Sequence, residues 1–282
     1  MNVLGRCLVV LAMVFSLGAC STLRFSYNNA DGLLRYMAWD YFDVDSDQAE
    51  SLQQRFARLR DWHRSSELPA YVALLRTAGE KASKGLSSAD VEWATAEIRS
   101  HYRVLLARAA HDAAPVLVTL KPEQIGALER KLAKEDARYV EEWLSGEENA
   151  RQGKRVQRML LRFEEWTGDL STGQRSRIEK FVNSHSREYE MRLDERRRLQ
   201  REVVALLRRH KIASELALSL TRLYSQPELG RSEKNTLAMR SWDLDYSVLV
   251  VDLYASLSAE QRARFFRRME RYEDDFRALA KK

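Results

Sequence analysis

Apolar residues return along this chain at helical spacing. Near the C-terminus Phe265, Met269, Tyr272, Phe276 and Leu279 are spaced four, three, four and three, which puts them on one face of a helix. Arg262, Arg264, Arg267, Arg268 and Arg271 fall largely on the other side. Ile98, Tyr102, Leu105 and Ala109 keep the same rhythm, as do Leu128, Leu132, Tyr139, Trp143 and Leu144. No alternating apolar and polar run bounded by turn residues stands out. Helix breakers are scarce, with prolines only at Pro69, Pro115, Pro122 and Pro227. The expectation is an all-α irregular multi-helix bundle or curved helical array. Its helices are expected near 30–40, 46–64, 67–83, 87–113, 121–145, 148–168, 172–210, 212–225, 231–256 and 258–281.

The stretch 172–210 is expected as one long helix, since nothing interrupts it. Two heptad rows run through it: Ile178, His185, Arg192, Leu199, Leu206, and Val182, Tyr189, Arg196, Val203. The rows are apolar at their ends and basic in the middle. Such a helix protrudes at its centre or faces a polar groove there.

A short motif marks helix starts. Leu170-Ser171-Thr172-Gly173-Gln174, Leu257-Ser258-Ala259-Glu260-Gln261, Leu120-Lys121-Pro122-Glu123-Gln124 and the degenerate Val44-Asp45-Ser46-Asp47-Gln48 each place Gln three residues after a capping position. That is the capping box with a hydrophobic staple before it. Pro122 suits the first helical position, where a missing N–H costs nothing. Leu86-Ser87-Ser88-Ala89-Asp90 is expected to open another helix in the same way. The spacing of the copies is irregular, which excludes a solenoid of fixed period.

The first twenty residues follow a different pattern. Arg6 is the only charge before Arg24, and an apolar run from Cys7 to Leu17 follows it. The run has the length of a signal-peptide core and is too short to cross a bilayer of about 30 Å. Leu17-Gly18-Ala19-Cys20 resembles the bacterial lipobox, which implies cleavage between Ala19 and Cys20 and acylation of the Cys20 thiol. Residues 1–19 are then a signal peptide, 20–29 a lipidated tether and 30–282 a single helical periplasmic domain. Several acyl chains, at about 0.8 kcal/mol per buried methylene, make such an anchor effectively permanent. Ser21 stands where an Asp favours inner-membrane retention in enterobacterial lipoproteins, so the resemblance is to the outer-membrane class.

Composition then removes functions. The two cysteines are Cys7 and Cys20. One leaves with the signal peptide and the other carries lipid, so thiol catalysis and disulfides are excluded for the mature domain. The net charge of +6 is a mild excess on a chain that is 31 % charged, and it does not mark a nucleic-acid binder.

Two resemblances follow from quoted residues. The mature start Cys20-Ser21-Thr22-Leu23-Arg24-Phe25-Ser26-Tyr27-Asn28-Asn29, with Leu33-Leu34, Tyr41-Phe42-Asp43-Val44-Asp45 and Trp62-His63-Arg64-Ser65-Ser66-Glu67-Leu68-Pro69, resembles a family of proteobacterial lipoproteins whose domain has no assigned function. The repeated Leu-Ser/Thr-x-x-Gln resembles the motif of the much smaller periplasmic proteins Spy and CpxP, a chaperone and a stress regulator. Lys121 departs from that motif, and capping chemistry explains it without any shared function.

Candidate chemistry is thin. The histidines His63, His101, His111, His185 and His210 form no zinc spacing, and the i,i+4 pair Glu97 and His101 is more often a surface contact than a metal edge. No phosphate loop, nucleophile elbow or acylase box occurs. Glu141-Glu142, Glu147-Glu148 and Asp274-Asp275 offer carboxylates without a singled-out pair. No catalytic residue, metal or cofactor is therefore expected. Arg192, Arg196, Arg197, Arg198 and Arg201 could contact anionic envelope components, against the simpler reading of a solvated face laced with ion pairs. The six tryptophans, Trp39 included, are expected as core anchors, with the lipid headgroup level as the alternative for Trp39.

The expected function is a lipid-anchored, non-enzymatic envelope protein that binds a partner or scaffolds, facing the periplasm from the outer membrane. Its partners are the membrane, through the N-terminal lipid, and an envelope protein or anionic envelope component. The alternatives are a Spy-like chaperone or stress sensor, and an unrecognised periplasmic enzyme.

Overall fold

The computed structural model describes residues 22–281, so the expected signal peptide, Ala19 and Cys20 lie outside the described residues. In order the helices are α1 (Thr22–Asn28), α2 (Ala30–Phe42), α3 (Ser46–Trp62), a π-helical turn (His63–Glu67), α4 (Leu68–Ser83), α5 (Ser88–Leu117), α6 (Pro122–Trp143), α7 (Glu148–Thr167), α8 (Thr172–Ser184), α9 (Glu188–Arg209), α10 (Ala213–Ser225), α11 (Glu233–Ala255) and α12 (Ala259–Ala280). No strand occurs among the described residues, and the fold is the expected all-α multi-helix array.

Two apolar cores share the helices. Ala110, Ala114, Ile125, Leu128, Val204, Leu207, Leu216 and Leu220 join α5, α6, α9 and α10. Ala114 and Leu216 are fully buried, and the small side chains let α5 and α10 approach closely. Leu160, Ile178, Phe181, Val182, Leu249 and Leu253 join α7, α8 and α11. The thirty-residue α5 packs against α10 of the first core and α11 of the second. α12 lies along α4, and the Tyr254 hydroxyl of α11 donates to Ala82 O at the end of α4, 2.6 Å away.

The four motif copies do more than cap. Ser171, Ser258 and Asp45 accept from the N–H of their Gln, and each Gln Oε1 accepts from the cap's own N–H. Gln124 likewise accepts from Lys121 N. The glutamines then pair across helices. Gln174 Nε2 donates to Gln261 Oε1 at 3.0 Å and Gln261 Nε2 returns the bond at 3.0 Å. Each also donates to a carbonyl two residues before its partner's cap, Gln174 to Ser256 O and Gln261 to Asp169 O. Gln48 and Gln124 repeat the arrangement, with Thr119 O and Asp43 O as the carbonyls. Two reciprocal amide clasps thus tie α3 to α6 and α8 to α12 at their N-termini.

The single helix expected over 172–210 is not formed. It breaks at His185–Arg187 into α8 and α9. The Ser184 hydroxyl donates to Phe181 O, and His185 Nδ1 lies 2.9 Å from the same carbonyl. Such local side-chain bonds compete with the helix ladder. The guanidinium of Arg155, 2 % exposed, donates to Ser186 O at 2.7 Å and to Trp143 O at 3.0 Å. It lies over the Tyr189 ring, which stacks on Trp143. The break lets the chain present Ser186 O and Tyr189 to this buried cation.

Candidate functional site

The segment expected as a tether is helical from Thr22 to Asn28, and four polar contacts hold α1 and the start of α2 to the body. Arg24 Nε donates to Asp275 on α12 at 2.5 Å. Arg64 Nη2 donates to Asn28 Oδ1 at 3.0 Å. Arg60 pairs with Asp31. The Tyr27 hydroxyl lies 2.9 Å from His63 Nδ1.

His63 opens the π-helical turn. Helices were expected to stop near 64 and restart near 67, but the chain runs on through a wider turn. Leu68 N–H donates to His63 O, five residues back. Pro69 supplies the reason. Inside an α-helix its ring would clash with the carbonyl four residues before it, and it has no N–H to give. One extra residue in the turn relieves the clash without ending the helix. The widened turn puts His63, Glu67 and Tyr71 on one side.

There they form a network with α1, α5 and α12. The Tyr71 hydroxyl lies 3.3 Å from His63 Nε2, so the imidazole sits between two phenols. Glu67, 6 % exposed, accepts from His101 Nδ1 of α5 at 2.9 Å. The Tyr71 ring meets His101 and Phe276 of α12 edge-on, with centroids 5.2 and 5.6 Å away. Burial holds the His63 ring below its ordinary 6.5, against the opposing pull of the Glu67 charge. Burial, and then the Glu67 charge, pushes the Tyr71 phenol up to about 12. Burial also raises Tyr27, with the Arg64 guanidinium acting against it. A neutral imidazole can donate to one phenol oxygen and accept from the other phenol, which suits this seat. The arrangement can clamp a helix in a proton-dependent way.

Tyr27, His63 and Glu67 lie in the segments that carry the family resemblance, and His63 stands otherwise only among the histidines without zinc spacing; Tyr71 drew no expectation. The row His63, Glu67, Tyr71, each four apart across Pro69, was a readable signal. Glu97 and His101 do not act as a pair, since His101 turns to Glu67 instead. Among the described residues no group of three or more His, Asp or Glu could hold a metal ion. Ser184, His185 and Asp245 fall into line, with 3.1 Å and 3.2 Å between successive partners. Ser184 spends its proton on Phe181 O, so this is a helix end rather than a nucleophile.

The arginines of α9 are mostly engaged inside the molecule. Arg192 pairs with Glu188, Arg196 with Glu135 and Asp136, and Arg197 with Asp136. Arg198 pairs with Glu195 and donates to Leu229 O and Pro227 O. Arg201 borders a shallow groove between α6 and α9 with Arg197 and Arg208.

Trp143 is buried, and Trp166 and Trp242 pack among aromatic rings at helix crossings. Trp39 departs from the core-anchor expectation at 59 % exposed. Phe25, Leu33, Tyr36 and Met37 are exposed beside it in sequence. The first two helices therefore carry an apolar, aromatic surface at the N-terminal end of the described chain. No described helix is long and apolar enough to cross a membrane.

Comparison with known proteins gives one finding. The profile of DUF6279, a family of unknown function, matches residues 40–230, which takes in the π turn, Tyr71, His101 and the first clasp. No curated protein and no solved structure matches the chain.

Proposed function

The chain belongs to DUF6279, a family of unknown function, and from that premise we propose that it is a lipid-anchored, non-enzymatic binding or scaffolding protein of the bacterial cell envelope. Cys20 carries the lipid, and the helical body faces the periplasm from the outer membrane. The observation that carries this reading is the closeness of the lipobox-like cysteine to a clamped helix. Cys20 precedes Thr22 by two residues, which span about 7 Å at most. α1 is in turn bonded to the π turn and to α12. Lipid on Cys20 then sets the body directly on the bilayer rather than at the end of a loose leash.

The chaperone alternative requires a free basic cradle. Four of its five candidate arginines already have carboxylate partners within the chain, which leaves little charge for an acidic client.

Intact mass of the protein purified from membranes tests the anchor. The expected mass is that of a chain starting at Cys20 with diacylglycerol and an amide-linked acyl group. Cys20→Ser is expected to carry no lipid and to keep its signal peptide. An unprocessed N-terminus of the natural chain, or a Cys20→Ser protein still processed and sedimenting with membranes as before, overturns the proposal.

A further inference from the structure

Beside each glutamine clasp lies an apolar cleft of about 290 Å³. Eight of the twelve lining residues of each occupy matching positions. Relative to Gln48, the first cleft takes Met37 and Tyr41 eleven and seven positions before and Leu52 four after; relative to Gln261, the second takes Val250, Tyr254 and Phe265 at the same offsets. Ala113 and Val116, before Gln124, correspond to Phe163 and Trp166, before Gln174.

They differ in what surrounds them. Arg162 and Glu165 border the second cleft, and Arg268 pairs with Glu165 and lies over Trp166. The first cleft, between α2, α3 and α5, has no charged residue in its lining. Its one hydroxyl, on Tyr41, is spent on Glu135 of α6. Met37 at its rim is 41 % exposed, on the helix that carries exposed Leu33, Tyr36 and Trp39. An apolar space of this kind offers water no partners and favours an apolar guest. Tyr36 and Trp39 line the neighbouring groove of α2, and the exposed apolar and aromatic side chains of this helix are the surface expected at a membrane.

We propose that the cleft between α2, α3 and α5 is an acyl-chain site that takes one hydrocarbon chain of a membrane lipid supplied from outside the protein. The position of α2 at the bilayer rests on the lipid-anchor reading above; the shape and lining of the cleft do not.

The test is a titration with cis-parinaric acid, a fluorescent fatty acid, of two full-length mature proteins: the lipidated chain in detergent-free nanodiscs and the soluble Cys20→Ser chain. Both are expected to bind one probe. Ala113→Phe places in the first cleft the side chain that the second carries at Phe163, and it is expected to weaken binding at least tenfold. Met37→Glu at the exposed rim gives the same loss without crowding the core. Val250→Phe in the second cleft is expected to leave binding unchanged. Absence of probe binding to Cys20→Ser overturns the proposal, as does binding that survives both Ala113→Phe and Met37→Glu. Binding by Cys20→Ser but not by the lipidated chain means that the protein's own acyl group fills the cleft, which overturns the external source. Because Cys20→Ser binding is read without any anchor, failure of the cleft and failure of the anchor are separate results.

Discussion

At the scale of single residues, the buried glutamines of the two clasps have partners for both amide atoms. Gln174 is 1 % exposed, and its amide bonds to Ser171 N, Gln261, and Ser256 O. Gln174→Leu takes the partner from Ser171 N–H and from the Ser256 carbonyl and removes the bond to Gln261, at a cost of about 1–3 kcal/mol. Gln174→Leu combined with Gln261→Leu is expected to cost less than the sum of the singles, because each single already removes their mutual bonds. Urea unfolding of the four proteins reads both effects. His63 gives a pH effect of definite sign. Its folded-state value lies below 6.5, so the neutral ring is the native form. The clamp is complete above about pH 6.5 and weakens as pH falls below it, because the unfolded chain takes the proton more readily. The melting temperature is expected to drop more between pH 7.5 and 5.5 for the natural chain than for His63→Asn. An equal drop in both would show that the ring does not titrate in this role. The Gln positions were legible in the sequence as caps, since a cap needs only four neighbouring residues. Their mutual pairing joins residues 76 and 87 positions apart, which no local pattern records.

At the scale of elements, most helices start and stop where their caps say. Ser87 with Asp90 opens α5 as expected, and Ser258 with Gln261 opens α12. The exceptions arise where an unseen neighbour or a proline changes the backbone. Arg155, on α7, holds the break between α8 and α9 by taking Ser186 O, and holds the end of α6 through Trp143 O. Arg155→Met removes a charged donor from two carbonyls and is expected to cost about 2–3 kcal/mol, read by urea unfolding. Helix content by circular dichroism is expected to stay nearly constant, because the helices on either side keep their own ladders. Pro69 acts in the opposite direction. A proline inside a helical pattern predicts a stop, and here a π turn absorbs it so that α3 and α4 run on.

At the scale of the whole molecule, α5 links the two cores, packing against α10 of the first and α11 of the second. Unfolding is therefore expected as one cooperative transition, with tryptophan fluorescence and far-ultraviolet dichroism coinciding across a urea series. Two separated transitions would show that the cores are independent. Ala114, fully buried in the first core, tests the same link. Ala114→Leu overpacks that core at a cost of about 1–3 kcal/mol and is expected to shift both probes together.

The sequence alone determined the helical class, the positions of the caps and the lipobox-like start, because each is written in residues adjacent along the chain or one helical turn apart. The tertiary structure decided which caps clasp one another, that residues 172–209 form two helices, that His63, Glu67 and Tyr71 meet Tyr27 and His101, and that one of two matching clefts is lined without a charged residue. These depend on contacts between distant segments, and side-chain periodicity reports which face of a helix is buried without naming the helix that covers it.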